Sequence, residues 1–257
     1  MIPKKVHYIW LGGRPKDKLT EICLLTWKDK MPEYEFIEWN EGNLDLDKIS
    51  AESEYFAECR KRNLYAFMAD YLRIKILYEQ GGIYIDTDVQ AIKSLDTLLH
   101  KDLILGYEEC TIGDVVNKQI GTGFIAAEKG NWFIGKVFDF YNKEIMNSDM
   151  FIIPVIMTHI YENLVEEEKA KIEILPKEYF SPYDSGGGKR FSNSLITENT
   201  YVIHWFSYSW GKYKNRKWAL VKHIKNPIKR RFQMIKNRID FYKETQEVKK
   251  SQKKNNN

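Results

Sequence analysis

Two aspartates, Asp86 and Asp88, stand two positions apart with only Thr87 between them. They follow two glycines and the apolar run 83–85, and alternation along a strand would place both carboxylates on one face. Two like charges this close repel each other unless a cation lies between them. Carboxylate oxygens are ligands that Mg²⁺ and Mn²⁺ prefer. We therefore interpret the pair as the place where a divalent metal meets a diphosphate.

A metal bound to a diphosphate can support group transfer. The metal acts as a Lewis acid and stabilises the leaving nucleotide. If the group that departs from the diphosphate is a sugar, the transition state resembles an oxocarbenium ion. The protein would then mainly position the reactants and neutralise charge.

Three further residues have types and positions that suit such a site. Asp70 and Arg73 lie three residues apart in a segment of helical hydrophobic spacing, so they can share one helix face. An ordinary surface ion pair is the alternative interpretation. His204 ends a short apolar run and is a candidate third metal ligand, although a lone histidine is more often structural.

Aromatic and hydroxyl side chains could hold a nucleotide or a sugar. Trp10 ends the first apolar run and is either a core residue or a flat surface on which a base stacks. Ser209 and Trp210 could line a sugar site, the hydroxyl toward an oxygen and the indole toward the apolar face of a ring. The alternative for these two residues is a packed C-terminal core.

Composition excludes several classes of protein. The chain of 257 residues is 43% hydrophobic and 14% aromatic, which is ample for a packed core in one large α/β domain or two small ones. Its three cysteines lack CxxC spacing, so we do not expect a disulfide framework or a zinc site. We expect a reducing, cytoplasmic compartment. We find no signal peptide, membrane-spanning run, P-loop, Rossmann fingerprint or Gly-x-Ser-x-Gly elbow.

The C-terminal region differs in charge from the rest of the chain. Residues 211–257 contain 16 Lys and Arg against 3 Asp and Glu, a net charge of +13, whereas the whole chain carries +4 and residues 1–210 therefore −9. Apolar residues recur in this tail at roughly helical intervals. That spacing fits a helix lying on an anionic membrane better than a base-stacking surface, so no nucleic acid partner is expected. A solvated helical tail is the alternative.

The elements that position these residues follow from hydrophobic periodicity. The patterns predict strands at 5–10, 34–39, 103–107, 121–127, 172–176 and 201–205, and helices at 18–30, 63–80, 132–145 and 151–164. Residues 5–39 read as a βαβ unit, with Ile22, Leu25 and Trp27 of its helix turned inward. Residues 108–118 read as a loop. A catalytic domain is expected over residues 1–215 and a basic amphipathic helical tail over 216–257, its end disordered.

Three separated motifs carry a resemblance to a known family. The segments are IPKKVHYIWLGG at 2–13, AFMADYLR at 66–73 and LYEQGGIYIDTD at 77–88. They resemble the glycosyltransferases that carry a DXD sugar-binding region, of the Och1-like and capsular polysaccharide transferase (glycosyltransferase family 32) type. The clostridial glucosylating toxin domain is more distantly similar. The resemblance covers most of the first 90 residues and returns at 204–205 and 209–210.

The resemblance implies a GT-A fold, an α/β domain with a central mixed β-sheet flanked by helices. It implies a retaining hexosyltransferase that uses a nucleotide-sugar and a divalent metal, usually Mn²⁺, with Mg²⁺ as the alternative. A stacking Trp10 suits uracil and favours a UDP-sugar, with GDP-mannose as the rival. The acceptor is expected to be a glycan or lipid-linked oligosaccharide of capsule or surface polysaccharide synthesis, with the enzyme peripheral on the inner face of the cell membrane. A toxin-like or effector transferase acting on protein is the alternative.

The resemblance also implies individual roles. Trp10 stacks on the base, Asp70 and Arg73 hold the ribose and donor sugar, and Ser209 and Trp210 close over the diphosphate and sugar. Leu11, Gly12 and Tyr84 lie within the matching motifs and are expected donor contacts. The metal ligands are Asp86, shared with the sugar, together with Asp88 and His204. The expected catalytic residues are Asp70, Arg73, Asp86 and Asp88. The segment 117–123 matches the family only loosely, so no acceptor residue or base is assigned.

Overall fold

The computed structural model describes residues 1–112, 115–183 and 192–207. Within these ranges the strands are β1 (Lys5–Ile9), β2 (Glu35–Trp39), β3 (Gly82–Ile85), β4 (Val89–Ala91), β5 (Leu103–Ile112), β6 (Val115–Ile120), β7 (Phe124–Ala127), β8 (Ile174–Leu175) and β9 (Val202–His204). The α-helices are α1 (Lys18–Lys30), α2 (Leu46–Glu52), α3 (Glu54–Lys61), α4 (Tyr65–Gln80), α5 (Trp132–Asp139), α6 (Ile153–Glu162) and α7 (Glu166–Lys169). Ser209, Trp210 and the tail 216–257 lie outside the described residues, so the predicted domain boundary stays a prediction.

The central sheet has the order β2-β1-β3-β7-β5-β6, and β8 also pairs with β5. Strand β1 runs parallel to both β2 and β3, whereas β7 is antiparallel to β3 and to β5. Strands β4 and β9 form a separate antiparallel pair. The unit β1-α1-β2 is the predicted βαβ motif. The predicted central mixed sheet flanked by helices is confirmed.

Apolar side chains cover both faces of the sheet. Along β3, Ile83 and Ile85 pack into the cluster that contains Trp27 of α1, whereas Tyr84 between them packs into the cluster beneath α4. This alternation is the ordinary period of a strand. It places Tyr84 on the same side of the sheet as the helix that carries Arg73.

Helix α1 lies where the sequence predicted it, but two of its inward residues were assigned wrongly. Ile22 is 44% exposed and Leu25 66% exposed, whereas Thr20, Cys23 and Trp27 are buried. The buried side is set by Trp27, whose indole Nε1 donates to the Val89 carbonyl at 2.7 Å. The Thr26 hydroxyl oxygen accepts from the Ala91 N–H of β4 at 3.0 Å, and hydrophobicity alone did not reveal these polar contacts with β4.

The segment 108–118 is not the loop that the sequence predicted. It belongs to a hairpin in which β5 pairs with β6, with Glu108 opposite Gln119 and Glu109 opposite Lys118. Charged and polar residues interrupt the apolar ones over residues 108–118, which hid the strand pattern. Among the described residues, none of the helices combines the length and the apolar character needed to cross a membrane.

A buried histidine fixes the junction between α4 and β3. The Trp39 indole Nε1 donates to His7 Nδ1 at 3.1 Å, so His7 Nε2 carries the proton and donates to the Gly81 carbonyl at 2.9 Å. Gly81 and Gly82 have φ values of +68° and +108°, and a Cβ on Gly82 would lie 2.7 Å from the Lys5 carbonyl oxygen. Glycine is therefore required where the chain turns from the helix into the strand before the aspartates.

We expect His7 to make the protein less stable in mild acid. Burial lowers the pKa of His7 below its ordinary value of 6.5, so below that pH the unfolded chain binds a proton that the folded chain excludes. The free energy of unfolding should therefore fall as the pH drops below 6.5 toward the folded pKa, by at most about 1.4 kcal/mol per pH unit. Denaturant titrations between pH 7.5 and 5 would measure this. Subtraction of the His7→Gln profile isolates the histidine, and identical slopes for the two proteins would contradict the assignment.

Candidate metal and nucleotide-sugar site

Asp86 and Asp88 lie in a tight turn and not on a strand, which corrects the predicted alternation. Strand β3 ends at Ile85, and the Val89 N–H donates to the Asp86 carbonyl at 3.0 Å across the turn. The Asp86 N–H donates to the Gly123 carbonyl at 2.8 Å, and the Asp88 carbonyl accepts from the Trp205 N–H at 3.0 Å. The turn, pinned from two sides, brings the two carboxylates together.

The turn meets His204, at the end of β9, because β9 pairs with β4. Val89 lies opposite His204 in this ladder. One ligand atom from each of Asp86, Asp88 and His204 lies within 4.8 Å of the other two. The three predicted ligands, which are up to 118 positions apart in the chain, thus converge on one point.

Asp88 is held ionised. Its Oδ2 accepts from the Ser207 N–H at 2.8 Å, and its Oδ1 lies 3.4 Å from His204 Nε2. Burial alone would raise the pKa of Asp88, but the charge of His204 and these hydrogen bonds hold it well below its usual range. Burial likewise acts to lower the pKa of His204, yet the neighbouring Asp88 raises it to about 9. Asp88 and His204 therefore each favour the charged form of the other.

Arg73 joins α4 to the aspartate turn. Its guanidinium pairs with Asp70 at 2.9 Å and with Asp86 at 3.3 Å, and donates to the Thr122 carbonyl at 2.7 Å. Only 6% of Arg73 is exposed, so the surface ion pair that was the alternative reading is wrong. Burial acts to lower the pKa of Arg73, but Asp86 and Asp70 raise it overall, and the group stays charged.

Tyr84 contacts both Arg73 and Asp86. Its ring centre lies 4.4 Å from the Arg73 guanidinium carbon, and its hydroxyl donates to Asp86 Oδ1 at 2.7 Å. A guanidinium stacked on an aromatic face gains a cation–π contribution, and it is held in one plane. Arg73 and Asp86 are thus oriented before any ligand arrives.

Trp10, Leu11 and Gly12 follow β1, the strand next to β3. His7 lies opposite Tyr84 in this parallel pair, so the two strands end at the same edge of the sheet. The Trp10 indole donates to the Arg14 carbonyl at 2.6 Å, and Gly12, with φ of +93°, donates its N–H to Glu41 at 2.6 Å. These residues are half-buried, and they lie at the same edge of the sheet as the aspartate turn.

Sequence reasoning did not assign several residues that shape the site. Thr122 contributes its carbonyl to Arg73, Ser207 its N–H to Asp88, and Gly123 its carbonyl to Asp86. Glu108 is buried nearby. Backbone donors and acceptors carry no side-chain signature, and the small residues at 121–123 were the one available signal.

Gly123 offers a test of how His204 is placed. A Cβ at this position would lie 2.6 Å from His204 Nδ1, so the Gly123→Ala substitution should displace the imidazole. We expect Mn²⁺ affinity to fall about 10-fold or more while the fold is retained. Metal titration followed by electron paramagnetic resonance of free Mn²⁺ measures this. Gly42→Ala is the matched control, because a Cβ there would contact only the flexible Asn40 side chain. Gly130→Ala is not suitable, because Gly130 has a φ of +71°. Unchanged Mn²⁺ affinity in Gly123→Ala would show that the added methyl group does not displace the His204 imidazole.

The fold and the site together define a class of protein. The chain is an α/β domain in which a turn after β3 carries two carboxylates, next to a histidine at the end of β9 and a buried arginine on α4. Residues 19–105 match the family described as "Glycosyltransferase sugar-binding region containing DXD motif". The match confirms the resemblance found in the sequence.

Characterised relatives match parts of the chain. "Subversion of eukaryotic traffic protein A" of Legionella pneumophila is 25% identical over 194 residues, 66% of this chain and 29% of the relative. "Inositol phosphoceramide mannosyltransferase 3" of Schizosaccharomyces pombe is 32% identical over 103 residues, 38% of this chain and 28% of the relative. The chain therefore spans less than a third of the length of these two relatives.

Among solved structures, "PaToxG Glycosyltransferase" aligns with a TM-score of 0.49 and 18% identity, over 66% of this chain and 73% of that one. The "apo-form glycosyltransferase GlyE in Streptococcus pneumoniae TIGR4" aligns with a TM-score of 0.40 and 15% identity, over 70% and 46%.

Proposed function

We propose that this chain is a metal-dependent, retaining glycosyltransferase that moves a hexose from a nucleotide-sugar to an acceptor. The observation that carries the proposal is the convergence of Asp86, Asp88 and His204 within 4.8 Å, beside a buried Arg73. The family match over residues 19–105 supports the same activity.

The three converging side chains suit a divalent cation. Two carboxylates and an imidazole are a ligand set that Mn²⁺ accepts, and Mg²⁺ is the alternative. A second sign is the buried Nδ1 of His204, which has no hydrogen-bond partner among the described residues. Histidine ligands to metals commonly use the second nitrogen for an outer contact. When bound, the metal would supply Lewis acid stabilisation of the departing diphosphate.

The chain's own residues would bind the donor and neutralise charge. Arg73, fixed by Asp70 and Tyr84, presents a permanent positive charge beside the aspartate turn. Asp70 and Arg73 are proposed to hold the ribose and donor sugar, and Asp86 to share its carboxylate between sugar and metal. Preorganised charges of this kind stabilise a transition state without reorganisation at the moment of reaction. We assign no protein nucleophile.

A UDP-sugar is the proposed donor, because a stacking Trp10 suits uracil. GDP-mannose is the second candidate, since the Schizosaccharomyces pombe relative is named a mannosyltransferase. A screen of UDP- and GDP-sugars with Mn²⁺ tests the proposal by following the release of nucleoside diphosphate. We expect release with one donor class, and only with metal present. Absence of turnover and of binding for every donor would refute the proposal.

The proposed acceptor is a glycan or lipid-linked oligosaccharide in capsule or surface polysaccharide synthesis. The name of the Schizosaccharomyces pombe relative includes a lipid, inositol phosphoceramide. A protein acceptor is the second candidate, because the Legionella pneumophila relative, named for subversion of eukaryotic traffic, matches 66% of this chain. Transfer of a radiolabelled hexose to lipid-linked oligosaccharide or to total protein separates the two candidates.

The charge of the tail supports a location on the inner face of a membrane. Residues 211–257 carry +13 against −9 for the rest of the chain, and basic residues near an anionic surface contribute about 1 kcal/mol each. The full chain should therefore sediment with anionic liposomes and lose that binding when it is truncated after Lys217. Neutral liposomes are the control. Equal sedimentation of the truncated chain would remove the membrane proposal while leaving the enzymatic one intact.

A further inference from the structure

We propose that Glu108 is a positioning residue for the metal site: through one bridging water molecule, its carboxylate accepts from the Nδ1–H side of His204 and so presents Nε2 to the cation. The inference rests on the proposed metal site. It assigns a role to a buried carboxylate that neither the motifs nor the ligand set includes.

The first observation is the state of the His204 ring. Its Nε2 faces Asp88 Oδ1 at 3.4 Å, which leaves Nδ1 pointing away from the ligand cluster. Nδ1 is buried and has no partner among the described residues. An unpaired buried polar atom costs about 1–3 kcal/mol. Metal-ligating histidines almost always donate their second N–H to a carboxylate, a carbonyl or water.

The second observation is the position of Glu108. It lies on the inward face of β5 and is only 5% exposed. Its Oε1 accepts from the Gln119 side chain at 2.8 Å, so one oxygen is held and the other is directed elsewhere. Its neighbour Glu109 lies on the opposite face, where it pairs with Lys177.

Two glycines place Glu108 and His204 over the same short segment. A Cβ on Gly121 would lie 3.1 Å from Glu108 Oε2, and a Cβ on Gly123 would lie 2.6 Å from His204 Nδ1. Glu108 Oε2 and His204 Nδ1 therefore lie against two glycines that are two positions apart in the chain. Each group is also close enough for its charge to act on the pKa of the other.

In this geometry, Glu108 controls which nitrogen of the His204 ring carries the proton. A carboxylate can only accept, so the bridging water donates to Glu108 and becomes a better acceptor for the imidazole. This favours the tautomer with the proton on Nδ1 and a free lone pair on Nε2. In the Glu108→Gln variant, Gln119 would hold the new amide oxygen, and the amide NH₂ would face His204. That group favours a proton on Nε2, the nitrogen that must bind the metal.

The test measures Mn²⁺ affinity of the full chain by electron paramagnetic resonance of free Mn²⁺. We expect Glu108→Gln to raise the dissociation constant about 10- to 100-fold. Glu108→Asp keeps the charge but withdraws the carboxylate by one methylene, and it should also weaken binding. Glu109→Gln removes the same charge from the adjacent, outward position and should change the constant less than about twofold. Melting temperatures without metal confirm that each variant is folded.

Three outcomes would overturn the inference. Glu108→Gln could bind Mn²⁺ as tightly as the wild type, which leaves the metal site standing and Glu108 without a role in it. Glu108→Asp could match the wild type while Glu108→Gln is weak, which would make the effect one of charge and not of position. Failure of the wild type itself to bind Mn²⁺ would refute the metal site of the proposed function, and the inference with it. If Glu108→Gln does not fold, Glu108→Asp decides, since unchanged affinity there contradicts the role.

Discussion

Replacing Asp88 by alanine should reduce hexose transfer about 1,000-fold. Asp88 is half-buried and ionised, its Oδ2 accepts from the Ser207 N–H, and its second oxygen faces His204. Loss of a ligand removes the charge stabilisation that a metal gives to a departing diphosphate, an effect of several kcal/mol. About 4 kcal/mol corresponds to a factor of about 1,000 in rate. The rate of nucleoside diphosphate release at saturating donor and Mn²⁺ measures it.

Asp29→Ala is the matched control for Asp88→Ala. Asp29 is an exposed aspartate on α1, where it pairs only with the adjacent Lys30 among the contacts described. Its removal should leave the rate within about twofold of the wild type. A variant of Asp88 that turns over donor at the wild-type rate would exclude this residue as a metal ligand.

Replacing Arg73 by methionine should damage both stability and activity. The substitution leaves Asp70 and Asp86 without the guanidinium that pairs with both, and the Thr122 carbonyl without its donor. Removing one partner of a buried ion pair costs about 3–5 kcal/mol. Transfer should fall by about 100-fold or more, because the group that holds the donor is lost. Denaturant unfolding and donor turnover measure the two effects separately.

The Arg60→Met variant tests whether the loss of stability in Arg73→Met is due to the burial of its ion pairs. Arg60 pairs with Asp47, whose side chain is 92% exposed, so its loss should cost about 1 kcal/mol or less. A loss of stability in Arg73→Met no larger than in Arg60→Met would mean that the Arg73 network contributes little. Asp70→Asn combined with Arg73→Met should recover part of the stability, since the unpaired charge is then removed.

Much of the candidate site could be predicted from the sequence. Asp86, Asp88 and His204 were expected to share a metal, and they converge; Asp70 and Arg73 were expected to share a face of α4, and they pair. The charge and the spacing of these residues made them predictable from the sequence. The βαβ start and helix α4 were also predictable, because long hydrophobic periods and paired glycines are strong local signals.

What could not be predicted depends on tertiary contacts. The aspartates meet through a turn fixed by the Gly123 carbonyl and the Trp205 N–H, and neither contact has a local signature. The hydrogen bonds of Trp27 and Thr26 with β4 set the inward side of α1, and Ile22 and Leu25 remain exposed. The mixed polar and apolar sequence over residues 108–118 did not reveal the β5-β6 strand pair or the buried Glu108. The convergence of the charged side chains could be predicted, whereas the backbone contacts that hold them could not.

The most direct test is the thermal stability of the protein with nucleotide-sugar and metal, separately and together. A ligand that binds only the folded state raises the melting temperature by mass action. The aspartate turn, His204 and Arg73 predict that a nucleotide-sugar and Mn²⁺ together raise it more than the sum of the two alone, and that Asp88→Ala abolishes the excess. A donor that stabilises the wild type equally with and without Mn²⁺ would contradict the metal site on which the proposed transfer depends.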